Sequence, residues 1–146
     1  MALAARADPY LGCAFLVELE GLVIAGFSEV SGLAAELEVL DYREGGVNDF
    51  AHRLPGPARY PTNLTLRRGI TDSEELWDWW RDAVHGNVRR LTCSVLLLDS
   101  SREVVRRWEF KGAYPVRWTG PELRAETGTI AVEAFELAHR GFGPAQ

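Results

Sequence analysis

The sequence predicts a mainly β domain with one α-helix, folded as two packed antiparallel sheets in a sandwich or small barrel. Three observations predict this: short segments alternate apolar and charged residues with a period of two, one acid-rich stretch has helical spacing, and turn chemistry separates them. The length of 146 residues fits a single domain spanning 1–146. With 47% hydrophobic and 25% charged residues, such a chain can bury a core without metal or disulfide support.

Ala14 to Glu20 alternates, with Phe15, Val17 and Leu19 on one face and Glu18 and Glu20 on the other, as in a half-buried strand. Gly21 permits a tight turn into Leu22-Val23-Ile24, which predicts a hairpin. In the next strand Ala35, Leu37 and Val39 alternate with Glu36 and Glu38, and Tyr42 ends it. From 43 to 61 the pattern collapses. Arg43-Glu44-Gly45-Gly46-Val47-Asn48-Asp49 cannot hold a regular strand, and Leu54-Pro55-Gly56-Pro57 is turn chemistry. So long a loop inside a domain is uncommon and usually functional. It carries Phe50, His52, Leu54 and Tyr60, more apolar and aromatic material than a solvated loop needs. Two readings stay open: an Ω-loop packed on its own domain, or an arm that reaches a neighbouring subunit.

Asn63 to Arg68 forms a short strand closed by Gly69, and the helix follows over about 72–85. Thr71-Asp72-Ser73-Glu74 fits a capping box, and Asp72, Glu74 and Glu75 suit the positive end of the helix dipole. Leu76, Trp77, Trp80, Ala83 and Val84 share one face, opposite Glu74, Asp78, Arg81 and His85. Trp79 falls on the flank of that stripe, at the domain rim or in a partner's surface. Leu91 to Leu98 is apolar on both faces, as in a central strand, and Asp99-Ser100-Ser101 turns the chain. Val104, Trp108 and Phe110 continue one face, and Pro115 marks an edge or a bulge. Leu123 to Ala138 predicts a long final strand with a bulge near Ala134, where the apolar phase shifts. The sum is about seven strands and one helix. Strands apolar on both faces leave adhesive edges on a lone subunit, which favours an oligomer.

The net charge of -5 argues against a dedicated nucleic-acid binder and against docking on an anionic membrane. No stretch approaches the roughly 20 apolar residues of a membrane span. Met1 to Ala7 is too short and too mildly apolar for a signal peptide, so a cytosolic chain with no export by the general route is expected. Cys13 and Cys93 each sit in an apolar, strand-like run, and two buried free thiols are a simpler reading than one disulfide. His52, His85 and His139 stand apart from any metal-ligand spacing, and His85 suits the helix C-terminus. Nucleophile elbows, phosphate loops and dinucleotide fingerprints are absent from the sequence, so neither a catalytic role nor a cofactor is expected. Glu18, Glu20, Glu36 and Glu38 read as solvated sheet faces rather than a catalytic pair.

Collinear motifs then accumulate along nearly the whole chain: Asp8-Pro9-Tyr10, Ala25-Gly26-Phe27-Ser28-Glu29-Val30-Ser31-Gly32-Leu33 and Tyr42-Arg43-Glu44-Gly45-Gly46-Val47-Asn48. They continue with Leu54-Pro55-Gly56, Leu66-Arg67-Arg68-Gly69-Ile70-Thr71, Glu75-Leu76-Trp77-Asp78-Trp79, Leu97-Leu98-Asp99, Ala113-Tyr114-Pro115, Trp118-Thr119-Gly120-Pro121 and Glu136-Leu137-Ala138-His139. Together they resemble the contractile phage tail tube family, most of all the inner tube proteins of phage-tail-like extracellular injection particles. That resemblance implies a fold similar to the haemolysin-coregulated protein of type VI secretion, hexameric rings stacked around a lumen, and no catalytic or metal residues. The implied partners are further copies, a contractile sheath, baseplate, spike and terminator proteins, and cargo in the lumen, within a tail or a tail-like particle.

By the same analogy Tyr42, Arg43, Glu44, Gly45, Gly46, Asn48, Phe50, His52, Arg53, Leu54, Arg59 and Tyr60 would grip adjacent subunits. Trp77, Asp78, Trp79 and Arg81 would lie near the outer wall, and Glu18, Glu20, Glu36 and Glu38 are candidates for a negative lumen. A tube-initiating subunit of the baseplate is an alternative with the same fold. A monomeric ligand-binding β-barrel is an alternative of another class.

Overall fold

The computed structural model describes residues 8–24, 26–43, 45–46 and 51–144. Strands β1 (Phe15–Leu19) and β2 (Leu22–Ile24) form the expected hairpin. Leu19 pairs with Leu22, leaving only Glu20 and Gly21 in the turn, and both have positive φ (48° and 81°), as a type I′ turn requires. Then come β3 (Phe27–Ser31), β4 (Glu36–Tyr42), β5 (His52–Arg59), β6 (Leu64–Gly69), α1 (Glu75–Val84), β7 (Leu91–Leu98), β8 (Val104–Thr119), β9 (Val132–Ala138) and β10 (Phe142–Pro144).

Eight strands make one antiparallel sheet in the order β2-β1-β7-β8-β9-β6-β3, with β10 also on β8; β4 and β5 form a separate two-stranded sheet. The large sheet folds over on itself through β8. Its first part pairs with β7 and β10, and from Tyr114 onward it pairs with β9. Between the two parts Lys111 and Gly112 oppose the single residue Thr92, a bulge with Gly112 at φ 63°. One core cluster therefore joins Val17, Leu19, Val95 and Phe110 from one half to Leu64, Leu66, Phe135 and Leu137 from the other. Leu76 and Trp79 of α1 complete it.

The mainly β fold with one helix stands as expected, and β7 is the central strand its two apolar faces predict. Several details differ. Among the described residues there are ten strands rather than about seven, because β3, β5 and β10 are too short or too polar to announce themselves. The predicted irregular loop is half strand: β5 pairs with β4 although it holds Pro55 and Pro57. Two features accommodate the prolines. The outer edge of β5 has no ladder to serve, and a register shift sets Gly56 and Pro57 opposite Glu38. The strand predicted from Leu123 is β9 and begins only at Val132, and Leu123 and Ile130 are exposed in the irregular segment before it. Its register with β6 runs unbroken through Ala134, so the irregularity belongs to β8, between Pro115 and Arg117.

The helix begins at Glu75 rather than about 72, and no capping box forms. Thr71 Oγ1 instead accepts the Ser73 N–H, and the Ser73 hydroxyl donates to Glu75. The buried face is also turned. Leu76 and Trp79 are buried and Trp80 is half-buried, whereas Trp77 and Val84 are exposed. Trp79 is 1% exposed, its Nε1 donating to the Arg89 carbonyl at 2.9 Å. A hydrogen-bonded indole suits the core, which a hydrophobic count alone does not register.

A buried ion pair ties the helix to the sheet. Arg68, 1% exposed, donates from Nε to Glu133 at 3.1 Å and from a terminal nitrogen to the Ser73 carbonyl at 3.0 Å. The Trp118 indole donates to the other Glu133 oxygen at 3.1 Å. Cys93 is buried, and its surroundings push the thiol up to about 12. Cys13 is exposed beside Gly12 in a turn, not buried in a strand as expected.

Candidate assembly interface

The β4–β5 hairpin stands apart from the large sheet, and its apolar residues find no cover among the described residues. Leu37 is 61% exposed, and Val39 and Leu54 are each 48% exposed. Opposed pairs place Val39 with Pro55 and Asp41 with Arg53 on one face, and Leu40 with Leu54 and Tyr42 with His52 on the other. Each face is thus apolar with a polar fringe, and the Tyr42 and His52 rings stack at 6.4 Å. Carboxylate–guanidinium contacts brace the ladder: Glu38 with Arg59 at 2.8 Å, and Asp41 with Arg53 at 3.6 Å. Such exposed pairs add little stability, and their main effect is to fix register.

Among the expected gripping residues, Tyr42, Arg43, Gly45, Gly46, Arg53, Leu54 and Arg59 are exposed on this hairpin. His52 is half-buried against Tyr42. Tyr60 is different: it sits at the hairpin's root, half-buried against Phe142 and His139. Glu44, Asn48 and Phe50 lie outside the described residues.

The large sheet has its own unpartnered edges. Strand β3 ends the order on one side, and among the described residues nothing pairs with the free side of Tyr114–Thr119 in β8. Between these edges one face of the strands carries small and polar residues in ranks, half-buried or exposed except for the buried Ala134. Ser31, Thr65, Glu136 and Arg117 stand in register, and so do Glu29, Arg67, Ala134 and Thr119. Arg67 approaches Glu29 at 3.6 Å, and Arg117 approaches Glu136 at 4.0 Å, so the face carries balanced charge. Sequence reading missed this surface because its residues are individually ordinary; only the pairing register assembles them.

The four singled-out glutamates do not come together. Glu18 accepts from Arg107 at 2.9 Å, and Glu20 accepts the Thr92 N–H at 2.6 Å. Glu38 pairs with Arg59, and Glu36 is exposed at the start of β4. Of the helix candidates, Trp77 is exposed and packs edge-on against Trp118 at 5.0 Å. Arg81 is exposed and pairs with the half-buried Asp78 at 2.9 Å, while Trp79 belongs to the core. Among the described residues no group of three His, Cys, Asp or Glu could hold a metal ion. None of the described helices is long and apolar enough to cross a membrane.

Among the described residues the domain thus leaves an apolar arm uncovered and two sheet edges free around a filled core. Residues 11–143 match the T4-like virus tail tube protein gp19 family, and the chain belongs to that family. It is accordingly a structural protein of the tail-tube and baseplate type found in contractile injection systems.

The chain is similar to one in the cryo-EM structure of the PVC extracellular contractile injection system's sheath–tube complex in the extended state. That match has 27% identity and a TM-score of 0.82, over 94% of this chain and 91% of that one. A chain in the six-fold symmetrised baseplate of the anti-feeding prophage matches with 25% identity and a TM-score of 0.83, over 96% and 97%. Hcp1 from Flavobacterium johnsoniae shares the fold at 17% identity and a TM-score of 0.55, over 90% and 94%. No curated protein matches the chain.

Proposed function

We propose that this chain is the repeating subunit of an inner tube, forming hexameric rings that stack around a lumen inside a contractile sheath. The observation that carries this reading is the β4–β5 arm, which is apolar on both faces and uncovered by the described residues of its own domain. An uncovered two-stranded ribbon is marginal in water and is stabilised when a second body covers it. The arm is the element that grips the next subunit.

The free edges support ring closure. Strands β3, β6, β9 and the second part of β8 alternate in direction, so β3 of one copy continues the pattern beside Tyr114–Thr119 of another. Closing such a sheet into a barrel removes both edges. In this arrangement the Ser31–Thr65–Glu136–Arg117 face lines the lumen, and its balanced charge keeps the wall from holding acidic or basic cargo. The four glutamates are not that wall. Trp77 and Arg81 remain available on the outside, where a sheath subunit would meet the tube. The role is structural rather than enzymatic, and the released or intracellular particle is put together from subunits made in the cytoplasm.

A baseplate initiator is the second reading, favoured by the similarity to a chain in a baseplate structure. A ligand-binding barrel has no interior to offer: Trp79, Phe110 and Phe135 fill the core. Negative-stain microscopy of the concentrated protein, added to purified baseplates as nuclei, separates the readings. Long tubes are expected. Single terminal rings would favour the initiator, and monomers that never join a nucleus would overturn the assembly reading.

A further inference from the structure

The turn after β9 holds a histidine in an aromatic box at the root of the arm. His139 packs edge-on against Phe110 (4.9 Å between centroids), Tyr60 (5.8 Å) and Phe142 (6.2 Å). Its Nδ1 accepts the Gly141 N–H at 3.1 Å, so the neutral ring carries its proton on Nε2. Nε2 is buried with no hydrogen bond of good geometry, while the Thr62 backbone favours the protonated ring. Tyr60 directly follows β5, so the box clamps the segment from which the arm springs. The fit is close: a side chain at Gly141 would meet the Tyr60 ring at 2.6 Å.

We propose that His139 is an acid-sensitive latch on the arm: neutral, it holds the Gly141 turn against Tyr60, and protonated, it releases both and weakens stacking. Protonation makes Nδ1 a donor facing another donor, the Gly141 N–H, and places a charge where burial disfavours it. Glu109 and Lys111 on β8 and Arg140 line the neighbouring groove, which Tyr60 and Phe142 border and His139 does not line; no charge offsets the burial of the cation, which only the Thr62 backbone favours. The Tyr60 hydroxyl is the other titratable group on a ring in contact.

Burial pushes His139 below the ordinary 6.5, opposed by a weaker pull from the Thr62 backbone. With a folded value below the unfolded one, the stabilisation is complete above about 6.5 and is lost as pH falls through the folded value. The latch rests on the arm's role in stacking, and two measurements separate the claims.

The first is a proton NMR titration of His139 and the Gly141 amide in the isolated wild-type subunit. A midpoint below 6.5, with the Gly141 amide shifting in step, is expected; a midpoint at or above 6.5, or an amide that ignores the titration, overturns the latch. The second steps assembled tubes from about pH 7.5 to about pH 5, where only histidine ordinarily changes charge. Light scattering should fall for wild type and persist for His139→Asn, whose amide oxygen can accept the Gly141 N–H without titrating. Equal loss in both overturns the latch. Failure to form tubes at neutral pH would count against the stacking reading alone, since the subunit titration still decides the latch.

Discussion

The large sheet and the β4–β5 arm use the same residue types to opposite ends. In the sheet, Leu64, Leu66, Phe135 and Leu137 alternate with polar neighbours and are fully buried. In the arm, Leu37, Val39, Leu40 and Leu54 sit in comparable strands and stay about half exposed. Period-two patterning says that a strand has an apolar face; it does not say whose surface covers that face. The sheet is covered by its own chain. The arm, on the proposed function, is left for a neighbour. Stability should therefore reside almost wholly in the first region and assembly in the second.

The sharpest way to break that division is to attack the sheet where a charge is buried. Glu133→Ala removes the acceptor of both Arg68 and Trp118 and strands a guanidinium that is 1% exposed. Loss of one partner of a buried pair costs about 3–5 kcal/mol. Thermal unfolding should fall by roughly 10 °C, on the scaling for domains of this size. A change within a degree or two would mean that the sheet does not depend on this pair.

A smaller loss is expected where the arm meets the sheet. Gly32 has φ 95°, and a Cβ there would lie 2.0 Å from the Asn63 carbonyl oxygen. Gly32→Ala forces the β3–β4 connection away from the start of β6 and costs about 1–3 kcal/mol in backbone strain. Chemical denaturation measures it, and an unchanged midpoint would show that the connection is slack.

Much of the sheet was legible beforehand because its signals are local. Glu20-Gly21 marks a two-residue turn, and the doubly apolar run Leu91–Leu98 marks a centre. Pro115 marks a bulge. What was not legible depended on partners distant in sequence. Pro55 and Pro57 read as turn residues, yet an edge strand with a bulge accepts them, so half the expected loop is a strand. Trp79 read as a flank residue because helical spacing does not reveal a carbonyl waiting at Arg89. The polar face between the free edges required the register of four strands. The stretch proposed to grip was singled out partly for the wrong reason: much of its predicted irregularity is strand β5, and what remains is its excess of exposed apolar residues.

The smallest effect on folding is expected from the arm itself, and it sharpens the comparison most. Leu37→Ser with Leu54→Ser replaces two exposed side chains that nothing in the described chain covers. Surface substitutions away from such structural features stay within about 0.5 kcal/mol, so subunit unfolding should barely move. Under the proposed ring assembly, stacking should collapse, because every copy loses two apolar contacts and the modest loss is multiplied at each level of the tube. Sedimentation of mixtures nucleated by baseplates would read the assembly, and calorimetry of the free subunit would read the fold. If the double variant unfolds early, the arm packs on its own domain after all. If it is stable and still elongates, the grip lies in the sheet edges, with β3 against Tyr114–Thr119, and the arm is ornament to a barrel that closes without it.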